Sequence, residues 1–376
     1  MKINIGKNIN LHVGTVFDYI KEYGKLSFAE KPFCEIDSLI LSQFSYLKFD
    51  GIVPMIDELG KSVNLLQMKE HPRVDHLFAD ERWRKENMAL FSAMAGSRRF
   101  QNMRCNYHVN IIDTEKETQF SAVTIVLDDG TVYVAFRGTD ETLVGWKEDL
   151  NMILEGSVPG QRMSADYLNQ ISTKIRCPFY VGGHSKGGNL AVYSAVHCYN
   201  HVRGMILGVY DHDGPGFRDD ITQLEGDREI VPILHKTIPN SSIVGVLLNR
   251  NTNCKIIASK NPGAMAHDPF SWLITDDTFL EYHKLKGNSK RAGKFLSDIV
   301  AALSEEEIDL MINTIYQILR GSEEDNLVDL QKNLRHSLKN MNKALRDVDD
   351  ETWKKIREIV RQFIEYSVFE NFDKKC

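Results

Sequence analysis

The chain has no paired cysteines, no long apolar run, no excess of positive charge and no internal repeat or low-complexity segment. Its six cysteines (Cys34, Cys105, Cys177, Cys198, Cys254 and Cys376) are scattered without C-x-x-C spacing. That argues against a zinc site or a disulfide frame and for mostly buried, reduced thiols. No apolar run approaches the ~18 residues that cross a bilayer. The start, Met1-Lys-Ile-Asn-Ile-Gly-Lys-Asn8, lacks an apolar segment of signal-peptide length, so a cytoplasmic location is the expectation. A net charge of −6 gives no general attraction to nucleic acid or to anionic membranes. What remains is ordinary globular composition, 42% hydrophobic and 26% charged over 376 residues, enough for one large domain and an appendage.

Within that composition, Phe179-Tyr-Val-Gly-Gly-His-Ser-Lys-Gly-Gly-Asn-Leu190 stands apart. It contains Gly183-His184-Ser185-Lys186-Gly187, a G-x-S-x-G pentapeptide. A chain this long shows that pattern by accident roughly one time in ten, so its context decides. Phe179–Val181 reads as a buried strand and Leu190–Val196 as a helix with small residues on one face. A strand, a sharp turn with serine at its apex and a helix form a nucleophile elbow. The serine sits in a strained conformation there, and larger side chains two residues either side would collide with the turn. A phosphate loop does not fit, because G-x-x-x-x-G-K-[ST] is not matched.

The surrounding pattern predicts an α/β fold. Residues 15–95 look mainly helical, with Thr15 capping a helix to Tyr23, another carrying Leu39, Ile40, Phe44 and Leu47, and a third over Glu86–Ala95. Strands are predicted at Tyr107–Asp113, Phe120–Leu127 and Thr131–Phe136, the last two joined by a hairpin turn at Asp128-Asp129-Gly130. Residues 141–163 read as a long mixed connection with exposed Val144, Trp146, Met152 and Leu154, followed by a helix over Ser164–Ile175. Further strands are expected at Ile206–Tyr210, Ser242–Leu248 and Lys255–Ser259, and His235 is placed in or at the end of a helix. Strands alternating with helices argue for a mostly parallel sheet with a few antiparallel pairs. After about residue 300 the chain becomes a charged helical extension, opened by the capping box Ser304-Glu-Glu-Glu307. Its apolar stripes suit packing on the body or on one another, or docking of a partner or a second copy. The division is therefore residues 1–300 and 301–376.

A serine hydroxyl needs a base to take its proton and an acid to orient that base. On elbow folds these follow the serine in the order acid, then histidine. His197 and His201 lie too close to the elbow in sequence to fold back over it, whereas His267 sits in a loop after the last strand candidate. Asp213 is favoured as the acid because it follows the Ile206–Tyr210 strand and precedes the turn Gly214-Pro215-Gly216. Asp211 and Asp268 remain alternatives, and Asp211-His212-Asp213 could also be a turn-forming run or a weak metal site. The oxyanion donors expected are the backbone N–H of Lys186 and the backbone N–H and hydroxyl of Thr139, in the loop Phe136-Arg-Gly-Thr139. No cofactor or metal is called for.

Phe136-Arg-Gly-Thr139, Trp146-Lys-Glu-Asp-Leu150 and the Gly-His-Ser-x-Gly elbow resemble the class 3 (fungal-type) lipases, which are α/β-hydrolases. The fuller strings Val134-Ala-Phe-Arg-Gly-Thr-Asp140, Gly182-Gly-His-Ser-Lys-Gly-Gly-Asn-Leu-Ala191 and Asp213-Gly-Pro-Gly-Phe217 are closer to a bacterial family of unknown function related to those lipases. The resemblance runs over about residues 15–285. It implies an α/β-hydrolase fold, Ser185 as nucleophile, His267 as base, Thr139 and Lys186 at the oxyanion hole, and a lid position for residues 141–163. One place departs from it. Class 3 lipases commonly carry their acid just before an Ile/Val pair, and here Ser241-Ser242-Ile-Val244 has no carboxylate. The expected activity is hydrolysis of a small-molecule or lipid ester through an acyl-enzyme. The alternative is a non-catalytic hydrolase-fold scaffold that binds a partner.

Overall fold

The computed structural model describes residues 2–4 and 10–294, except 81–82, 141, 155–156, 219–223, 250–252, 288 and 292. Along the chain run β1 (Lys2–Asn4), β2 (Asn10–Gly14), α1 (Val16–Tyr23), α2 (Glu35–Phe44), β3 (Val63–Asn64), α3 (Leu65–Lys69), α4 (Arg84–Ala95), β4 (Arg104–Asp113), β5 (Thr118–Val126), β6 (Val132–Phe136), α5 (Leu143–Leu154), α6 (Pro159–Lys174), β7 (Phe179–His184), α7 (Lys186–His197), α8 (Asn200–Arg203), β8 (Ile206–His212), α9 (Glu225–Ile230), β9 (Leu234–Pro239), β10 (Cys254–Ile257), β11 (Ile274–Thr275) and β12 (Thr278–Phe279).

Eight strands form the main sheet in the order β10-β9-β8-β7-β6-β5-β4-β3. Pairings from β6 to β10 are parallel, and those from β3 to β6 are antiparallel. The expected α/β arrangement, a mostly parallel sheet between helical layers, is what forms. A smaller antiparallel sheet has the order β1-β2-β11-β12.

Alternation along the central strands explains the layers. Val132, Val134 and Phe136 of β6 pack with Val181 and Val209 under Leu168 and Ile171 of α6 and Leu190 and Ala191 of α7. Tyr133 and Ala135, on the opposite face, pack with Tyr210 under Leu39 and Ile40 of α2 and Leu90 and Met94 of α4. Successive strand side chains point to opposite faces, so each parallel strand needs two apolar sets. The second layer is also tied by a buried ion pair. Arg99 donates to Asp37 through Nε (2.7 Å) and Nη2 (2.6 Å) and lies over the Phe28 ring.

Several expectations change. Residues 143–154 are a helix rather than an irregular connection, and Val144 and Met152 in it are buried. Helix α6 starts at Pro159, five residues before the expected Ser164. His235 lies in strand β9, not in a helix. Ser242–Leu248 is not a strand but a turn with a short 3-10 segment at Val244–Val246. The helical extension expected over residues 301–376 lies outside the described residues. Among the described residues, no helix is long and apolar enough to cross a membrane.

Candidate active site

The five parallel strands β6, β7, β8, β9 and β10 stand side by side, and the chain leaving each carries one residue of the site. In that order they are Thr139, Ser185, Asp213, Ser242 and His267. This is the carboxyl edge of the sheet, where open α/β folds bind ligands.

Ser185 joins β7 to α7 with φ 59° and ψ −132°, a positive φ that is costly for a residue with a Cβ. The neighbouring glycines are sterically required. A Cβ at Gly183 would lie 2.3 Å from the carbonyl carbon of Gly187, and one at Gly187 would lie 2.2 Å from the carbonyl oxygen of Phe136. The Ser185 N–H donates to the His212 carbonyl at 3.0 Å, which ties the turn to β8. Asn189, one helical turn on, donates to the carbonyls of Pro215 and Gly216, both at 3.1 Å, and accepts from Gln161 Nε2 at 2.8 Å. The elbow and the loop after β8 are thus held as one piece.

Lys186 opens α7, and N–H groups in the first turn of a helix have no acceptor within the helix. Its side chain is buried. The ammonium donates to Glu148 Oε2 at 2.6 Å, to the Gln119 carbonyl at 2.7 Å and to Gln119 Oε1 at 3.0 Å. Glu148 also accepts the Gln119 N–H (2.9 Å) and the Gly160 N–H (2.8 Å), so α5 is fastened to β5, α6 and the elbow. Thr139 is buried, and its hydroxyl donates to Asp149 Oδ2 at 2.5 Å. That hydroxyl proton is therefore directed at α5.

Asp213 has φ 58°, and its N–H donates to the Thr237 carbonyl at 2.8 Å. Its Oδ2 lies 2.7 Å from His267 Nδ1 and 2.6 Å from Ser242 Oγ. Burial pushes the Asp213 carboxyl up to about 8, against the opposing pull of the Ser242 hydroxyl, the Lys236 charge and the Gly245 N–H. With the carboxylate ionised, Nδ1–H donates and Nε2 of His267 is left as an acceptor.

The other two carboxylates weighed from the sequence are engaged elsewhere. Asp211 pairs with the Lys236 ammonium, both buried, and accepts the Gly214 N–H at 2.8 Å. Asp268 caps the short turn after it, accepting the Phe270 N–H at 3.0 Å, and burial raises it to about 6. The Asp211-His212-Asp213 run is split between directions, since His212 Nε2 meets Ser38 Oγ of α2 at 2.9 Å. Among the described residues, no group of His, Cys, Asp and Glu is arranged to hold a metal ion.

Three contributors lie outside the residues singled out from the sequence. His184 sits at the first x position of the pentapeptide, ahead of Ser185, whereas the base of an elbow fold follows the serine in the chain. Its Nε2 is 2.9 Å from the His267 carbonyl, which can only accept, so Nε2 carries a proton. Its Nδ1 lies 3.2 Å from the Tyr46 hydroxyl, and its ring is 4.5 Å from the His267 ring. Trp272 donates its indole N–H to the Ala266 carbonyl at 2.9 Å. The backbone of the histidine loop is therefore strapped at Ala266 and His267, beside the residue that precedes Ser185. Tyr46 carried no sequence signal. Its role depends on the chain folding back from the end of α2.

A protein-family model described as Mbeg1-like matches residues 94–317, more than half of the chain. No curated protein matches it. Among solved structures the chain is similar to one described as the crystal structure of M37 lipase, at 17% identity, over 56% of this chain and 68% of that one, with a TM-score of 0.34.

Proposed function

This chain belongs to the Mbeg1-like family, and we propose that it is a serine hydrolase that cleaves carboxylic esters, lipid or other acyl, through an acyl-enzyme on Ser185. The observation that carries the reading is the conjunction at one sheet edge of a positive-φ serine on a strand-to-helix turn with a bonded Asp213–His267 pair.

In this reading His267 Nε2 takes the Ser185 hydroxyl proton as Oγ attacks the ester carbonyl. Asp213 holds the imidazole in the Nδ1–H tautomer and balances the positive charge that develops on it. The backbone N–H groups of Lys186 and Thr139 receive the oxyanion, each worth on the order of 3 kcal/mol of barrier. The alcohol leaves with the proton from Nε2. Water then attacks the acyl-serine, with His267 again as base. The class 3 lipase resemblance favours esters as substrates.

A fluorophosphonate probe tests this on full-length protein. Covalent labelling is expected in the wild type, none in Ser185→Ala, and a rate lower by about 10³-fold or more in His267→Ala. Folded wild-type protein that takes no label, with or without detergent, would leave a hydrolase-fold scaffold as the better description. A panel of p-nitrophenyl esters of rising chain length then reads acyl preference.

A further inference from the structure

We propose that Ser242 is a positioning residue of this site, whose hydroxyl holds the Asp213 carboxylate in the orientation and charge state that His267 needs. The inference rests on the hydrolase reading above.

The chain leaves β9 at Pro239 and turns at once, the Ser242 N–H donating to the Pro239 carbonyl at 3.0 Å. The turn brings Ser242 back over the end of β8, where it is fully buried. Its Oγ is 2.6 Å from Asp213 Oδ2, the same oxygen that lies 2.7 Å from His267 Nδ1. A serine hydroxyl and an imidazole N–H both donating to one oxygen require that this oxygen carry no proton. The hydroxyl thereby stabilises the ionised acid against the effect of burial, in the orientation that faces the histidine. The other oxygen lies close against Gly245, where a Cβ would stand 2.1 Å from Oδ1, so the carboxylate is bonded through Oδ2 and confined at Oδ1.

The grip is needed for two reasons. Asp213 has a left-handed backbone, so its side chain is not presented by relaxed strand geometry. It is also buried, and burial favours the neutral acid. Among the groups that oppose burial, Ser242 acts most strongly. Lys236 of β9 acts from further away, since its ammonium is bonded to Asp211 and to the Gly214 carbonyl at 2.7 Å. His267 faces Asp213 from the loop after β10, and His212 lies on the opposite face of β8.

The test compares wild type, Ser242→Ala and Ser242→Thr for the rate of fluorophosphonate labelling between pH 6 and 10. Ser242→Ala is expected to react at least tenfold more slowly at pH 7. Its pH–rate limb should sit about one unit higher, with most of the rate recovered at pH 9 to 10. Ser242→Thr keeps a hydroxyl and should keep the wild-type limb. A Ser242→Ala limb at the wild-type position would overturn the proposal, as would an equal loss at every pH in both variants. A readout independent of chemistry follows the His267 Nδ1–H proton by NMR in a Ser185→Ala background. Its titration midpoint should rise by a similar amount when Ser242→Ala is added, and an unmoved midpoint counts against the proposal. Absence of wild-type labelling refutes the hydrolase reading, while the NMR titration still decides the part played by Ser242.

Discussion

At Asp213 two local penalties coincide, a positive φ and a fully buried carboxylate. Neither belongs in a residue selected for stability alone. The sign of the pH effect follows. In the unfolded chain an aspartate titrates near 3.9, and in the fold burial raises this one to about 8. A raised acid contributes stability that is fully present below about pH 4 and is lost as pH climbs through about 8. Asp213→Asn removes that dependence. Thermal melts of the two proteins are therefore expected to diverge in the variant's favour from pH 5 to pH 9. The variant should also lose about 10²- to 10⁴-fold in labelling rate, because Asn cannot stabilise a charged imidazole. Asp211→Asn should behave in the opposite manner, keeping the chemistry at His267 but leaving the buried Lys236 ammonium without its counter-ion. If Asp213→Asn reacts at the wild-type rate, another residue serves as the acid.

At the scale of elements, helix α5 is bonded into the surroundings of Ser185 and Thr139. On one side of it, buried Glu148 and half-buried Asp149 reach Lys186 of the elbow and Thr139. Lys147 and Asn151 meet Glu117 before β5. A helix fastened in this way is proposed to be a fixed wall beside the proposed oxyanion hole rather than a hinged cover. Hydrolysis of short p-nitrophenyl esters is accordingly expected to follow ordinary saturation, with no jump in rate as substrate passes its solubility limit. A sharp jump would show that α5 swings. Glu148→Ala should cost about 3–5 kcal/mol in denaturant unfolding, because it strands the Lys186 ammonium in the interior. The apolar pair Glu148→Leu with Lys186→Met should recover much of that loss.

The same buried polar groups explain what could be read from sequence. The elbow was legible because its spacing follows from backbone geometry, and β5, β6 and β7 because their residues alternate or run apolar. Strand β9 was not, since buried Lys236 and Thr237 interrupt its apolar pattern and are satisfied only by neighbours distant in sequence. Helix α5 was hidden by its inward-facing Lys147, Glu148 and Asn151. The apolar run Ile243–Leu248 reads as a strand, yet it must turn so that Gly245 can admit the Asp213 carboxylate. Asp213 itself could be favoured over Asp211 from its turn, but its bond to His267 depends on a contact 54 residues apart.

On the scale of the whole chain, the family match covers residues 94–317, and α1, α2 and α3 precede it. They are joined to the site all the same, through Tyr46 at His184 and Ser38 at His212. Residues 301–376, whose sequence turns to charged, amphipathic helical patterns opened by Ser304-Glu-Glu-Glu307, are proposed to be a separate helical unit, used for a partner or for a second copy of the chain. Brief digestion of the full chain with trypsin should then yield a protected fragment that retains residue 285 and ends between Lys294 and Arg320. That fragment should take the fluorophosphonate label at the rate of the intact protein. Light scattering of the intact chain against the fragment reads self-association through the removed helices. A fragment that unfolds, or that loses its labelling, would instead make the extension part of the catalytic body.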